Sequence, residues 1–385
     1  MFKWLKSHAL YWGGQLAVLL CVVYGFYWLI DNTIVNLARQ GTASGFGFLG
    51  DRSGFGISQT LVDYSEDSSY GRVLLVGFLN TLLVAGVSIF FATLLGFFVG
   101  IGRLSRNWLV SRICAVYIEV FRNIPLLLQI MFWYFGVLRN LPSPRQAIDI
   151  YGVAFLSNRG LIVPSAIFEA GSGFYIAASL IFVVSLFLGR RWQSKVQIAT
   201  GRRPRLWPYM MALFVALGAI CFAVTGWPFS MTTPELAGFN FKGGVNFIPE
   251  FVSLALALII YTATFIAEIV RAGILSVDRG QTEAARALAL PRGLTMRLII
   301  IPQALRVIIP PLTSQYLNLT KNSSLAVAIA YPDIVSVFAG TALNQVGQAV
   351  EIIFITMVIY LALSLITSFI LNQYNSHLAM RGAAR

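Results

Sequence analysis

Charged side chains inside strongly apolar segments are the residues of this sequence whose types and spacing could do chemistry. Glu119 and Arg122 stand three residues apart in one such segment, and Glu268 and Arg271 stand three apart at the end of another. A charge within a membrane helix is costly, so it is usually either paired or functional. Each couple is therefore open to two interpretations, a helical ion pair or a functional site for a charged ligand.

No pattern in the sequence supports a metal, redox, hydrolytic or nucleotide site. The histidines lie near the two ends, at His8 and His377, and each cysteine stands alone in an apolar stretch, at Cys21, Cys114 and Cys221. This spacing predicts packing residues rather than a metal or redox centre. No HExxH, GxSxG or GxxxxGKS/T pattern occurs, so we expect neither hydrolytic chemistry nor a nucleotide site in this chain.

Two glycine patterns have structural interpretations. Gly45, Gly47 and Gly50 fit GxGxxG, but no βαβ unit surrounds them, so a turn-rich loop is the favoured interpretation. Gly96 and Gly100 form a GxxxG pattern, which permits close helix packing without identifying the partner helix.

The elements that must position these residues are membrane helices. Of the 385 residues, 57% are hydrophobic and 11% charged, and the mean hydropathy is +0.76, whereas a soluble domain carries roughly 25% charged residues. Spans must be helical because lipid cannot satisfy exposed backbone groups. The sequence predicts an all-α membrane protein with about eight transmembrane helices, at roughly 9–30, 73–101, 109–138, 173–189, 207–225, 250–270, 304–330 and 350–371.

The net charge of +13 is explained by topology rather than by nucleic-acid binding, because the positive residues concentrate in short segments between spans. The segment 190–206 carries six Lys or Arg residues and no acidic residue, whereas 31–71 carries two Arg residues against five Asp or Glu residues. Basic loops stay in the cytoplasm. With eight spans, both termini are therefore predicted to be cytoplasmic, and the first span is a retained helix rather than a cleaved signal peptide.

The segment 268–303 is the most informative one outside the spans. Asp278 and Thr282 can cap a short helix, and Pro291 and Gly293 should end it. The sequence predicts a charged, amphipathic helix across the cytoplasmic ends of two spans. A plain basic loop would not need an alanine-rich helix between such sharp breakers.

Glu283-Ala284-Ala285, followed by Ile301-Pro302, resembles the EAA loop of permeases of ATP-binding cassette (ABC) importers. That family has a glycine six residues after the glutamate, where this sequence has Ala289, so a slightly different turn is expected. The resemblance implies that this segment couples the chain to an ATPase. The coupling residues it implies are Gly280, Thr282, Glu283, Ala284, Ala285, Arg286, Ala289 and Pro291.

Three further stretches resemble permeases for polar amino acids, the histidine, glutamine and arginine branch. They are FRNIPLLLQ from Phe121 to Gln129, YTATFIAEIVRAG from Tyr261 to Gly273 and LTKNSSL from Leu319 to Leu325. The resemblance covers 73–138 and 250–371. With the added spans and the stretch at 36–49, the chain is most similar to the general L-amino-acid permeases of Gram-negative bacteria.

The resemblance implies a type I permease core of five helices plus additions. The parts expected are an N-terminal span and periplasmic loop at 1–72, the first part of the core at 73–138, inserted loops and two spans at 139–249, and the second part of the core at 250–385. The implied function is translocation of L-amino acids across the inner membrane by alternating access. An ion-coupled secondary amino-acid transporter is the alternative, which the coupling helix disfavours.

The implied partners are a second permease subunit, expected to be a paralogue, two ATP-binding subunits, a periplasmic amino-acid-binding protein and the bilayer. The chain itself needs no cofactor, since ATP and Mg²⁺ belong to the ATPase subunits. Arg122 would meet the substrate carboxylate and Glu268 its ammonium group, near helix breaks at Pro125 and after Pro310-Pro311. The full set predicted for the substrate path is Arg122, Gln129, Thr264, Glu268, Lys321, Asn322 and Ser323.

Overall fold

The computed structural model describes residues 2–39 and 45–383. Residues 40–44, which belong to the stretch compared above with general L-amino-acid permeases, lie outside the described residues. Twelve α-helices form in the described ranges: α1 (Phe2–Arg39), α2 (Tyr70–Arg103), α3 (Trp108–Asn123), α4 (Leu126–Met131), α5 (Ser172–Thr200), α6 (Trp207–Thr225), α7 (Pro249–Leu275), α8 (Arg279–Ala287), α9 (Arg292–Thr295), α10 (Ile301–Asn322), α11 (Leu343–Val346) and α12 (Ala349–Ala383).

Seven helical segments of the described chain are long and apolar enough to cross a membrane. They are Trp12–Thr33, Tyr70–Arg103, Ser172–Thr200, Trp207–Thr225, Pro249–Leu275, Arg292–Ile329 and Ala349–Gln373. An eighth crossing requires α3 and the helical run Leu126–Asn140 to count together, although these are bent by 102°. The all-α membrane class is confirmed. The third span predicted over 109–138 is interrupted at Pro125, because α3 ends at Asn123 and α4 begins at Leu126.

The chain divides into two compact units, Met1–Leu138 with Ile248–Arg385, and Arg139–Phe247. The second unit holds α5, α6 and eight short strands that the sequence did not predict: β1 (Ile148–Ile150), β2 (Ala154–Ser157), β3 (Gly160–Val163), β4 (Ser165–Phe168), β5 (Phe229–Thr232), β6 (Glu235–Ala237), β7 (Asn240–Lys242) and β8 (Val245–Phe247). They pair antiparallel as one sheet, β1-β2-β3-β8, and two ribbons, β4-β5 and β6-β7. Three- and four-residue strands give too little alternation to be read from sequence.

The first unit is built on the contact between α2 and α7. A side chain at Gly96 would lie 2.5 Å from Cγ2 of Ile266, and one at Gly100 would lie 2.7 Å from the carbonyl oxygen of Ala267. The GxxxG pattern therefore lets α2 approach the backbone of α7, which identifies the partner helix that the sequence left open.

The segment that precedes α2 and the segment that follows α10 pack on the start of α2. Phe48 of a short 3₁₀ turn (Gly47–Gly50) joins a buried cluster with Tyr70, Val73, Phe338 and Ile352. The GxGxxG segment thus forms the turn expected rather than a nucleotide site. Beside this cluster, the buried Asn80 amide donates hydrogen bonds to the carbonyls of Gln59 (2.8 Å) and Pro332 (2.9 Å), which fastens both segments to α2.

Candidate functional site

The predicted coupling helix is α8, and its two ends show why it forms. The Asp278 carboxylate accepts a hydrogen bond of 2.6 Å from the backbone N–H of Gly280 and caps the N-terminus. Thr282, also considered as a cap, lies inside the helix. Pro291 begins the next helix, α9, as its capping residue. The helix predicted between these breakers is confirmed.

The C-terminus of α8 ends in a Schellman motif centred on Ala289. The Ala289 N–H donates to the Arg286 carbonyl (2.9 Å), and the Leu290 N–H donates to the Ala285 carbonyl (3.0 Å). Ala289 has φ +52°, a left-handed conformation that glycine adopts without steric cost. A different turn was expected at this position, but alanine is instead held in the conformation that suits glycine.

One face of α8 is buried and the rest is exposed. Ala285 is 1% exposed, whereas Glu283, Ala284 and Arg286 are exposed. The Gln303 side-chain amide donates to Oε1 of Gln281 (3.3 Å), which links α8 to α10. Leu288, 73% exposed at the end of the helix, adds an apolar contact point. This arrangement presents a fixed surface of mixed charge and apolar character to another protein.

The second part of the site begins at the break between α3 and α4. Ile124 is forced into an extended conformation by Pro125 (φ −89°, ψ 127°), which leaves the last carbonyls of α3 without helical partners. The buried Gln129 side chain donates to two of them, Phe121 (2.8 Å) and Ile124 (3.0 Å). Gln129 therefore stabilises the break rather than lining a path.

Arg122 lies at the exposed end of α3, beside α7. Its guanidinium carbon is 5.1 Å from the centre of the Phe265 ring, a cation–π contact. The ion pair with Glu119, one of the two interpretations left open, does not form: among the residues that the structure describes, the ion pairs are Arg52–Asp67, Arg103–Glu268 and Arg271–Glu268. Arg122 thus keeps its charge available to a ligand.

Phe265 also borders a cavity of about 260 Å³ between α7 and α10. Its walls carry Tyr261 and Thr262 from α7, and Gln315, Asn318 and Asn322 from α10. This volume lies just below the roughly 300–1,000 Å³ of drug-sized ligand pockets, so it suits a smaller molecule. Three amides give it both hydrogen-bond donors and acceptors.

Only Asn322 of the predicted path residues lines this cavity directly. Gln315 and Asn318 were not predicted, although a signal was present: positions 315, 318 and 322 follow helical spacing within one apolar span. They are the polar stripe of α10.

The remaining predicted path residues lie elsewhere. Thr264 and Ser323 are fully buried, and their hydroxyls donate to the backbone carbonyls of Tyr261 and Thr320, both at 2.7 Å. Lys321 lines a different groove, between α10 and α12. The helix break predicted near Lys321 is only a change of helix type, because α10 runs through Pro310 and Pro311 to Asn322 and continues as a 3₁₀ helix over Ser323–Ile329.

Glu268 is held by two arginines. Its Oε2 accepts from Nε of Arg271 (3.1 Å), and its Oε1 is bonded to the guanidinium of Arg103 at the end of α2. The predicted pair with Arg271 is confirmed. Arg103 is a partner that the sequence could not reveal, because it lies 165 positions away.

A family profile described as "Binding-protein-dependent transport system inner membrane component" matches residues 92–379. That range contains the capped helix α8, the break at Pro125 and the polar cavity. The chain belongs to this family of transport permeases. It is therefore a multi-pass membrane permease of the type found in bacterial importers, and such permeases work with an ATPase and a substrate-binding protein.

Three curated proteins match this permease over nearly its whole length. The putative amino-acid ABC transporter permease protein YhdX of Escherichia coli is 52% identical over 96% of this chain and 94% of its own. The general L-amino acid transport system permease protein AapQ of Rhizobium johnstonii is 52% identical over 95% and 91%. The glutamate/glutamine/aspartate/asparagine permease protein BztB of Rhodobacter capsulatus is 41% identical over 95% and 93%.

Proposed function

We propose that this permease translocates L-amino acids across the bacterial inner membrane into the cytoplasm by alternating access, driven by a separate ATPase. The observation that carries the proposal is the exposed helix α8, capped at both ends. A secondary transporter coupled to an ion gradient has no use for a docking helix of this kind. No cluster of three or more His, Cys, Asp or Glu side chains suited to a cation occurs among the described residues either.

The substrate class is supported by the full-length relatives, whose names all refer to amino acids, and by the chemistry of the cavity. An α-amino acid presents a carboxylate and an ammonium group. The forked guanidinium of Arg122, beside Phe265 at the cavity, suits a carboxylate bidentately. Amide oxygens of Gln315, Asn318 and Asn322 can accept hydrogen bonds from the ammonium group.

This assignment changes the role first considered for Glu268. Both of its carboxylate oxygens already accept from arginines, so an ammonium group would have to displace a guanidinium. We propose that Glu268 instead fixes the ends of α2 and α7 next to the coupling segment, and that the amides of α10 recognise the ammonium group.

The complete importer is proposed to contain a paralogous second permease, two ATPase subunits that bind ATP and Mg²⁺, and a periplasmic amino-acid-binding protein. Both termini and the basic segment 190–206 are proposed to be cytoplasmic. ATP-driven closure of the ATPases would move α8 and reorient the cavity, a rigid-body transition of the kind that couples two sites.

Uptake of a labelled amino acid by proteoliposomes with reconstituted complex tests the function. Glu283 is exposed on α8, so Glu283→Lys reverses a surface charge at the docking face without disturbing the fold. We expect loss of ATPase co-purification and of uptake. The matched control is Glu235→Lys in β6, which makes the same charge change outside α8 and should retain both ATPase co-purification and uptake.

Two outcomes would contradict the proposal. If Glu283→Lys, correctly inserted, leaves ATPase co-purification and uptake unchanged, α8 is not the docking element. If uptake by the wild-type complex is abolished by an ionophore but does not need ATP, the secondary-transport alternative is correct.

A further inference from the structure

A cavity in the inserted unit 139–247 has no role in the proposed transport path. It measures about 550 Å³ and opens between the second half of α5 and the start of α6. Its lining is mainly apolar and includes three arginines; the residues that matter below are Arg190, Arg203, Arg205, Phe182, Leu186 and Met210.

The loop between the two helices is fixed at this cavity. Nε2 of Gln193 donates a hydrogen bond of 2.6 Å to the carbonyl of Pro204, so α5 holds the loop that carries Arg203 and Arg205. Arg191 has a different environment, because its guanidinium lies 4.3 Å from the Phe187 ring and it is not among the residues lining the cavity. Of the six positive residues in 190–206, Arg190, Arg203 and Arg205 therefore line the cavity.

The charge at the cavity is uncompensated by protein. No acidic residue occurs in 190–206, and none of the three arginines forms an ion pair within the described part of the chain. Like charges brought together repel one another, so the arrangement favours a bound anion. Phosphate is the anion whose geometry guanidinium groups match best.

The position of the cavity identifies the source of the phosphate. It lies where two membrane helices end, and Trp207, 74% exposed at the start of α6, is of the residue type that sits at the lipid headgroup level. A free phosphate would leave the apolar lining of the cavity against water, whereas a lipid acyl chain would cover it. Basic pockets between membrane helices bind anionic lipid headgroups in this way.

We propose that this cavity binds an anionic phospholipid of the cytoplasmic leaflet. The phosphate lies among Arg190, Arg203 and Arg205, and one acyl chain lies against Phe182, Leu186 and Met210. A zwitterionic lipid binds less well, because its ammonium group is repelled by the same arginines.

Lipid retention by the purified full chain tests the proposal. The chain, reconstituted with phosphatidylglycerol and phosphatidylethanolamine in equal amounts, is released and analysed by native mass spectrometry. We compare the cavity variant Arg190→Gln/Arg203→Gln/Arg205→Gln with a matched control, Arg191→Gln/Lys195→Gln/Arg202→Gln, which removes the same charge from the same loop. Each basic residue near an anionic lipid contributes about fivefold in affinity.

We therefore expect the cavity variant to retain at least about tenfold less phosphatidylglycerol than wild type, and the control to stay within about threefold of wild type. Equal losses in the two variants would mean that general loop charge, not a site, attracts the lipid. Equal retention of both lipids by wild type would also overturn the proposal.

A second variant separates a lipid from a free phosphate and replaces the first if the arginine variant fails to insert. Leu186→Trp fills the apolar part and keeps every charge. It should lower phosphatidylglycerol retention, and excess inorganic phosphate should not displace the lipid from wild type. Unchanged retention in Leu186→Trp, or displacement by phosphate alone, would show that the acyl chain takes no part and would overturn the proposal.

Discussion

Glu268 of α7 is bonded to Arg103 at the last turn of α2, and this ion pair ties together the two helices that pack through Gly96 and Gly100. Arg271 shares the same carboxylate. Without the carboxylate, two guanidinium groups would face each other in a half-buried site. We therefore expect Glu268 to contribute to the stability of the fold rather than directly to transport.

Glu268→Gln should lower the stability of the purified permease by about 1–3 kcal/mol, the usual contribution of a hydrogen bond to a charged group. Thermal unfolding in detergent measures this. Glu119→Gln is the control, because Glu119 is exposed and forms no ion pair within the described chain; its unfolding should match wild type. A Glu268→Gln protein of normal stability that has lost uptake would instead indicate that Glu268 lies in the substrate path.

The sequence predicted the elements of this permease better than their junctions. Long apolar runs and the sharp breakers around α8 are local, so the spans and the coupling helix could be predicted before the structure was known. A helix break at Pro125 was predicted, but its angle of 102° was not, because a proline within a span is compatible with either a kink or a break. The roles of Gln129 and Glu268 depend on which groups surround them, and Arg103 approaches Glu268 only through the packing of α2 on α7.

Substitutions of Gln129 and Gln315 can separate a structural role from a ligand-binding role. Gln129→Leu would leave the carbonyls of Phe121 and Ile124 without the donor that Gln129 supplies, and should lower stability by about 1–3 kcal/mol. Gln315→Leu makes the same change at the cavity wall and should leave stability unchanged while raising the KM of uptake. Thermal unfolding and uptake kinetics on both variants check this. A stable Gln129→Leu protein with raised KM would put Gln129 in the path.

Arg122 contacts Phe265 and not Glu119, and this decides what a double variant should do. Arg122→Lys keeps the charge but loses the fork, so uptake should fall partially, by about tenfold in kcat/KM, and Arg122→Ala should reduce it further. Glu119→Gln should be close to neutral, and Glu119→Gln/Arg122→Gln should transport no better than Arg122→Gln alone. Uptake per inserted protein is the measurement, and rescue in the double variant would contradict the assignment.

The bent pair α3–α4 makes topology testable. If the pair counts as one crossing, the chain has eight spans and both termini lie on the same side; if it re-enters, there are seven. With Cys21, Cys114 and Cys221 replaced, we expect a cysteine at position 60 to be labelled from outside intact spheroplasts and one at position 197 to be protected. Cysteines at positions 5 and 380 should also be protected. If the pair re-enters while the N-terminus stays cytoplasmic, every later crossing is reversed, so labelling at both 197 and 380 with position 5 protected would support seven spans.

The left-handed turn at Ala289 provides a test of the coupling helix that changes a single methyl group. A left-handed conformation costs a residue with a side chain about 1–2 kcal/mol. Glycine avoids this cost, but the greater entropy of its unfolded state offsets part of the gain. Ala289→Gly should therefore stabilise the end of α8 by roughly 0.5–1 kcal/mol. Ala287→Gly, two residues earlier and inside the helix, should destabilise it by a similar amount.

Hydrogen–deuterium exchange over residues 276–291 of the full chain measures both effects, with slower exchange expected in Ala289→Gly and faster exchange in Ala287→Gly. Faster exchange in both would mean that the Schellman motif does not hold α8 in solution. The coupling role proposed for α8 requires it to move as a rigid body, so Ala289→Gly should also keep or raise the uptake per ATP hydrolysed, whereas Ala287→Gly should lower it.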